Sequence, residues 1–204
     1  MKPGTKNQLF GEHQIIIHAL FVARAWWKLF GFPKDLRLWA CFFLHDLGYW
    51  GKDDIDGEDG KTHPELGANI VSYLFDEQPF VGLWNHVPIR VWYEFCLYHS
   101  RYYAKKEDHP VSALALADKM AFVITPWWVF IPLAKFSGGL KEYAKLYGKE
   151  GKLPKDLKPW IREQQARCWD WVYRTMEQPS SMKGYYTSWE RQNMDAELSS
   201  VQEG

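Results

Sequence analysis

Apolar residues recur along this chain at intervals of three and four rather than two, the spacing of one face of an α-helix. Between Asn7 and Phe30 the positions Ile15, Leu20, Val22, Trp26, Leu29 and Phe30 form such a series, and Gly31 supplies a stop. A second helix is predicted from Pro33 to about Tyr49, with Leu36, Trp39, Ala40 and Phe43 inward. Pro64 stands where a first-turn proline belongs, so a third helix is predicted to about Phe75. An aromatic segment from Pro79 to Tyr103 reads as helix divided at Pro88. Pro110 opens another helix, ended by Pro126, and two more are predicted, Leu140 to Tyr147 and Pro159 to Met176. The last carries Ile161, Cys168, Trp169, Val172 and Met176 on one stripe. No alternating strand pattern and no repeat is present. The expectation is an all-α fold, one helical domain over residues 1–176 with a polar C-terminal tail, 177–204.

Composition narrows the function. The chain has 204 residues, 47% hydrophobic and 17% aromatic, ample for a core and too apolar for disorder. Its 25 Lys and Arg balance 25 Asp and Glu, so the basic excess of a phosphate-neutralising nucleic-acid binder is missing. Cys41, Cys96 and Cys168 are far apart and odd in number, which argues against a disulfide framework and for a reducing compartment. No signal-peptide pattern opens the sequence, and the longest mostly apolar run, Ala121 to Ala134, is 14 residues with two prolines inside. A soluble, cytoplasmic protein without a transmembrane segment is expected.

Six polar residues break this pattern. His18 lies in IIIHALFVA, His45 and Asp46 in CFFLHDLGY, His99 in FCLYHS and Asp118 in LALADKMAF, all apolar helical settings; His63 precedes Pro64. Leu114, Asp118 and Ala121 share one helical face, as do Ile15, His18 and Val22, so both polar groups are directed inward. A single core histidine is ordinarily satisfied by a neighbour, and Asp118 alone reads as a cap or half an ion pair. Four histidines and two aspartates over five helices share a better explanation, a metal centre that offsets the burial cost of all six. Neighbouring helical residues diverge by about 100°, so His45 and Asp46 suit a two-ion site in which Asp46 bridges.

The order His18, His45-Asp46, His63, His99, Asp118 resembles the HD-domain superfamily of metal-dependent phosphohydrolases. The contexts HALFVA, FFLHDLGYW, THPELGA, YHSRYYA and ALADKMAF carry the likeness, over roughly residues 7 to 125. It implies a helical HD-domain bundle with additional C-terminal helices and a minimal metal set of His18, His45, Asp46 and Asp118. His63 and His99 match the dinuclear subset, in which a second ion is held by bridging Asp46 with His63 and His99. The implied cofactors are two divalent ions, Fe or Mn first, with Mg, Co, Ni or Zn as alternatives. Tyr49 occupies the place of a lysine common in these hydrolases, and the GYP motif of cyclic di-GMP phosphodiesterases is absent.

The leading functional expectation is a phosphohydrolase cleaving a phosphoester or phosphoanhydride of a nucleotide-like small molecule through a metal-activated hydroxide. Asp46 and Asp118 are the catalytic carboxylates, Asp118 also orienting the nucleophile. Arg101 and Lys119 are the candidate phosphate-binding cations, each with a structural ion pair as its alternative. The rival is a mixed-valent di-iron oxygenase of the same superfamily oxidising a C–H bond, since the donor set suits both chemistries. A binding module with a vestigial site is the third reading.

Lesser signals receive plainer readings. Lys105 and Lys106 are expected in solvent. The acidic loop Gly51 to Lys61 fails the EF-hand template, because Gly57 falls at position 4 counted from Asp54; it reads as a solvated loop whose glycines permit lid motion. Trp26, Trp27 and Trp39 read as core filler. Trp127, Trp128 and Phe130 are expected to cover the core or to form a homo-oligomer contact at Trp127-Trp128, with a hydrophobic wall for a base or lipid-like substrate, or an interfacial anchor, as the alternatives. His13 falls off the His18 face, His86 is assigned a structural role near a helix end, and His109 a helix-entry role.

Overall fold

A computed structural model describes residues 1–55, 57–76 and 91–177 of the protein. The segment around Pro88, with His86, and the tail beyond residue 177 lie outside the described residues. Within them the fold is all-α: α1 (Pro3–Phe10), α2 (Ile15–Phe30), α3 (Leu36–Leu44), α4 (His63–Phe75), α5 (Val91–Leu97), α6 (Arg101–Lys106), α7 (Ala113–Ile124), α8 (Trp127–Ser137), α9 (Gly139–Tyr147) and α10 (Leu157–Glu177). Short 3-10 turns occur at Leu47–Tyr49, Gly60–Thr62 and Lys149–Gly151. No single helix among the described residues is long and apolar enough to cross a membrane.

The helix expected from Asn7 to Phe30 is two helices. Gly11 ends α1 by returning its N–H to Asn7 O, and Asn7 Oδ1 then accepts from His13 N at 2.9 Å. Gln14 restarts the chain as an N-cap, its side-chain oxygen accepting from Ile16 N and Ile17 N. Asp35 caps α3 in the same way, accepting from Arg37 N. The second predicted helix also stops early, at Leu44.

The main core lies between α2 and α7, with α3, α4, α5 and α10 around them. It is rich in small buried residues, Ala19, Ala23 and Ala25 of α2 and Ala113, Ala117 and Ala121 of α7 among them. This corrects three expectations. Leu20 is exposed and Trp27 is 59% exposed, because α2 buries its alanines and turns these larger side chains outward, and Leu36, the first residue of α3, is 81% exposed at the helix start. Trp26 and Trp39 pack against the core as expected.

A second, smaller core forms where α8 turns 103° away from α7. Phe130 and Ala134 of α8, Leu140 of α9, and Trp160 and Ile161 of α10 make its centre. The aromatic stretch after Pro126 is therefore a helix that packs inward through Phe130, with Trp127 half-buried and Trp128 exposed. The two cores meet along α7 and α10, and the polar residues gather beside that seam.

Candidate metal centre

Four local devices deliver the six polar residues. His18 lies within α2 and Asp118 within α7, on the faces where these helices pack together. His45 follows the last residue of α3, and Asp46 leaves the helix with φ −97° and ψ 0°. The doublet thus sits at a helix end rather than inside one, so its side chains are freed from the divergence of neighbouring helical residues. His63 opens α4, and His99 lies in the turn between α5 and α6.

Two glycines let this turn nest against α4. A Cβ on Gly48 would stand 2.0 Å from His63 O, and one on Gly67 would stand 2.2 Å from Leu44 O, both far inside contact distance. From α1, the buried Gln8 donates its Nε2 hydrogen to Asp46 O at 2.8 Å.

The donor atoms converge on the two oxygens of Asp46. Its Oδ2 lies 3.5 Å from His18 Nε2 and 3.4 Å from His45 Nε2, and Asp118 Oδ1 lies 3.1 Å from His18 Nε2. Its Oδ1 lies 3.4 Å from both His63 Nε2 and His99 Nε2, which are 3.1 Å from each other. His18, His45, Asp46 and Asp118 form one potential metal-binding group, and Asp46, His63 and His99 a second, with the donors of each within 4.8 Å of one another. All six residues expected at the centre are brought together.

Protonation favours ligation. Three rings are oriented by backbone carbonyls, which only accept: His45 Nδ1 donates to Phe42 O, His63 Nδ1 to Gly60 O and His99 Nδ1 to Cys96 O. Burial pushes His45 down to about 3, with neighbouring His99 and His18 opposing its charge against the pull of Asp46, and burial likewise lowers His63. A neutral ring with Nδ1 as donor leaves Nε2 as a bare lone pair. The Nε2 atoms of His18 and His45 are buried without a hydrogen bond, although carboxylate oxygens lie close by. Burial raises the pKa of Asp46 and Asp118, but His45 and His13 hold Asp46, and Lys119 and His18 hold Asp118, well below the usual carboxylate value.

The neutral His45 and His63 rings therefore turn Nε2 lone pairs toward carboxylate oxygens, an arrangement that a cation resolves. Divalent ions bound at about 2.0–2.2 Å set donor separations near 3.0 Å at right angles and about 3.4 Å at tetrahedral angles. The closest donor pairs here span 3.1–3.5 Å. The donor set fits metal.

Sequence periodicity missed His13. Its Nδ1 lies 2.7 Å from Asp46 Oδ2, and the break between α1 and α2 is what carries it there. Burial pulls the His13 pKa down, but Asp46, with Glu12 and Asp118, raises it to about 9, so the ring donates to Asp46 as a cation. Tyr49 stacks on His63 at 4.0 Å between centroids and 9° between planes.

The two expected phosphate-binding cations differ. Lys119 Nζ bonds Asp118 Oδ2 at 2.8 Å. Arg101 rests its guanidinium 5.5 Å from the Trp171 ring centroid and makes no ion pair with a carboxylate among the described residues. Lys105 and Lys106 are exposed, and His109 stacks on Tyr98 away from the centre. In the acidic loop, Asp59 Oδ2 accepts from Asp53 N, Asp54 Oδ1 from Gly57 N, and Lys52 pairs with Asp59. These acids are engaged within the loop, while buried Ile55 faces the centre.

Two cavities open on the centre. One, about 250 Å³, is lined by Lys61, Ser100, Arg101, Lys119 and the Asp46 side of the cluster. The other, about 270 Å³, runs from His18 and Asp118 beneath α8 and α10, and Arg101, Lys119 and His13 line both. Compared with known proteins, the chain matches no family model, no curated protein and no solved structure.

Proposed function

We propose that this chain is a metal-dependent phosphohydrolase of the HD-domain type, acting on a phosphoester or phosphoanhydride of a nucleotide-like small molecule. The observation that carries the reading is Arg101, a guanidinium with no carboxylate partner among the described residues, beside a cluster of four histidines and two aspartates. A cation left uncompensated at the mouth of such a cluster suits an anionic substrate, and its planar fork suits phosphate.

His18, His45, Asp46 and Asp118 would hold one divalent ion, and Asp46, His63 and His99 a second. When bound, such a pair supplies a water of lowered pKa and charge stabilisation at a phosphoryl oxygen. The protein residues do the rest of the positioning. Asp46 is aligned by His13 at one oxygen and by Gln8 at its backbone carbonyl. Arg101 and Lys119 offer donors to the phosphoryl oxygens from the wall shared by both cavities. Asp118, held by Lys119 Nζ, keeps its other oxygen toward His18.

The experiment is elemental analysis of anaerobically purified protein, followed by a screen of nucleotides and phosphoesters in the absence of oxygen. Release of phosphate or a nucleotide under those conditions is the expected result. Substrate-dependent oxygen uptake with a spin-coupled mixed-valent iron signal and no phosphate release assigns the oxygenase chemistry instead.

A further inference from the structure

The larger cavity is built for more than a phosphate. Near the cluster it is polar; farther in, Phe122 of α7, Phe130 of α8 and Tyr143 of α9 form a wall of packed rings, with centroids 4.9 Å apart for Phe122–Phe130 and 5.6 Å for Phe130–Tyr143. On α10, Gln164, Cys168 and Trp171 follow one helical stripe along the same chamber.

Gln164 is the informative residue. It is 5% exposed, it lines the chamber, and its side-chain amide has no hydrogen-bond partner among the described residues. With no such bond and no place among the sealed unpaired atoms of the core, the amide is open to the chamber, where a ligand with matching donors and acceptors can pair with it in place of water. Glu12 places a carboxylate in the chamber wall, where it accepts from Ser137 Oγ at 2.9 Å and disfavours a second anionic group. Arg167 is already paired with Glu163 at 2.7 Å. At about 270 Å³ the chamber is near the small end of ligand pockets, too small for the two halves of a dinucleotide.

We propose that this chamber, made by the C-terminal helices, receives the uncharged end of the substrate, a single flat heteroaromatic ring body whose polar edge is read by Gln164. The substrate class is then a singly phosphorylated small molecule, its phosphate toward Arg101 and the metal centre and its ring against the aromatic wall. This rests on the phosphohydrolase reading for the phosphate end only. An alkyl chain would gain from the rings but leave Gln164 unpaired; a heteroaromatic ring uses both.

The test pairs a binding and a turnover measurement on metal-loaded protein. Calorimetry with the phosphate-free nucleosides reports the chamber alone. Turnover of nucleoside monophosphates, phenyl phosphate, hexyl phosphate and methyl phosphate reports the whole site. At least one nucleoside should bind, and Ile17→Trp or Leu133→Trp, which fill the chamber from two different helices, should weaken that binding at least about tenfold. The same variants should lower the ratio of kcat/KM for ring-bearing over methyl phosphate by a similar factor. Gln164→Leu should change the preference among bases by about tenfold, the size of one lost hydrogen bond. Better turnover of phenyl phosphate than of any nucleotide assigns the chamber to a plain aryl ring and removes the role of Gln164. Hexyl phosphate turned over as well as the ring-bearing esters, or no nucleoside binding, overturns the proposal. Nucleoside binding with no phosphoester cleaved keeps the chamber and removes the phosphohydrolase. Cleavage indifferent to the ring and to both tryptophan variants does the reverse.

Discussion

The two halves of the metal centre are assembled in different ways. His18 comes from the first turn of α2 and Asp118 from the middle of α7, where alanine-rich packing of the core fixes the helices and hence the side chains. His63 and His99 come from a helix start and a turn, and are fixed instead by Nδ1 bonds to Gly60 O and Cys96 O. One half is rigid because of what surrounds it, the other because of local backbone bonds. Asp46 belongs to both, with one oxygen turned to each. The contrast suggests that the halves can be broken separately.

The largest effect is expected from Asp46→Ala, which removes the shared ligand. Activity should fall by about 10³-fold or more, given several kcal/mol of metal-derived stabilisation, and elemental analysis should find both ions lost. Full activity in this variant would refute the assignment. Next come the half-site variants. His63→Ala should reduce metal content from two ions per chain to one, leaving His18, His45 and Asp118 in place. His18→Ala should lose the other ion and also lower the melting temperature of the metal-free protein, because the ring packs between core helices. Equal loss from both variants would show that the halves are not separable. Chelation should lower the melting temperature of the wild type by roughly 5–10 °C if ions are present at about 100 times their Kd.

A smaller effect tests the backbone that joins the halves. Gly67→Ala forces a Cβ to within 2.2 Å of Leu44 O, and α4 must move from the end of α3. A loss of about 1–3 kcal/mol is expected by thermal or denaturant unfolding, with weaker binding at the His63 side. The smallest is Leu36→Ser, at a side chain 81% exposed, which should change stability by no more than about 0.5 kcal/mol. A large effect there would restore the inward Leu36 of the sequence pattern.

The same contrast explains what the sequence made legible. His18 and Asp118 stood out because a polar residue on an apolar helical face is costly unless partnered, and that cost is visible in one dimension. His45 and Asp46 stood out too, but periodicity carried their helix on to Tyr49, while the chain leaves α3 after Leu44. His13 gave no signal, since its place depends on the break at Gly11 to Gln14 and on the close approach of α1. The outward turn of Leu20 and Trp27 was hidden because alanines, weak markers of hydrophobicity, are much of what α2 buries. The chamber under α8 and α10 was hidden for another reason: it exists only through the 103° turn at Pro126, which composition does not encode.

The opening helix has a practical consequence. Gln8 reaches from α1 to the carbonyl of the doublet, and Gly4 N bonds Lys52 O at the start of the acidic loop, so the first ten residues buttress the centre from behind. Trimming the chain through Gln8 to tidy its terminus would slacken the bridging carboxylate without touching a ligand. The resulting preparation would look well folded and bind its ions poorly.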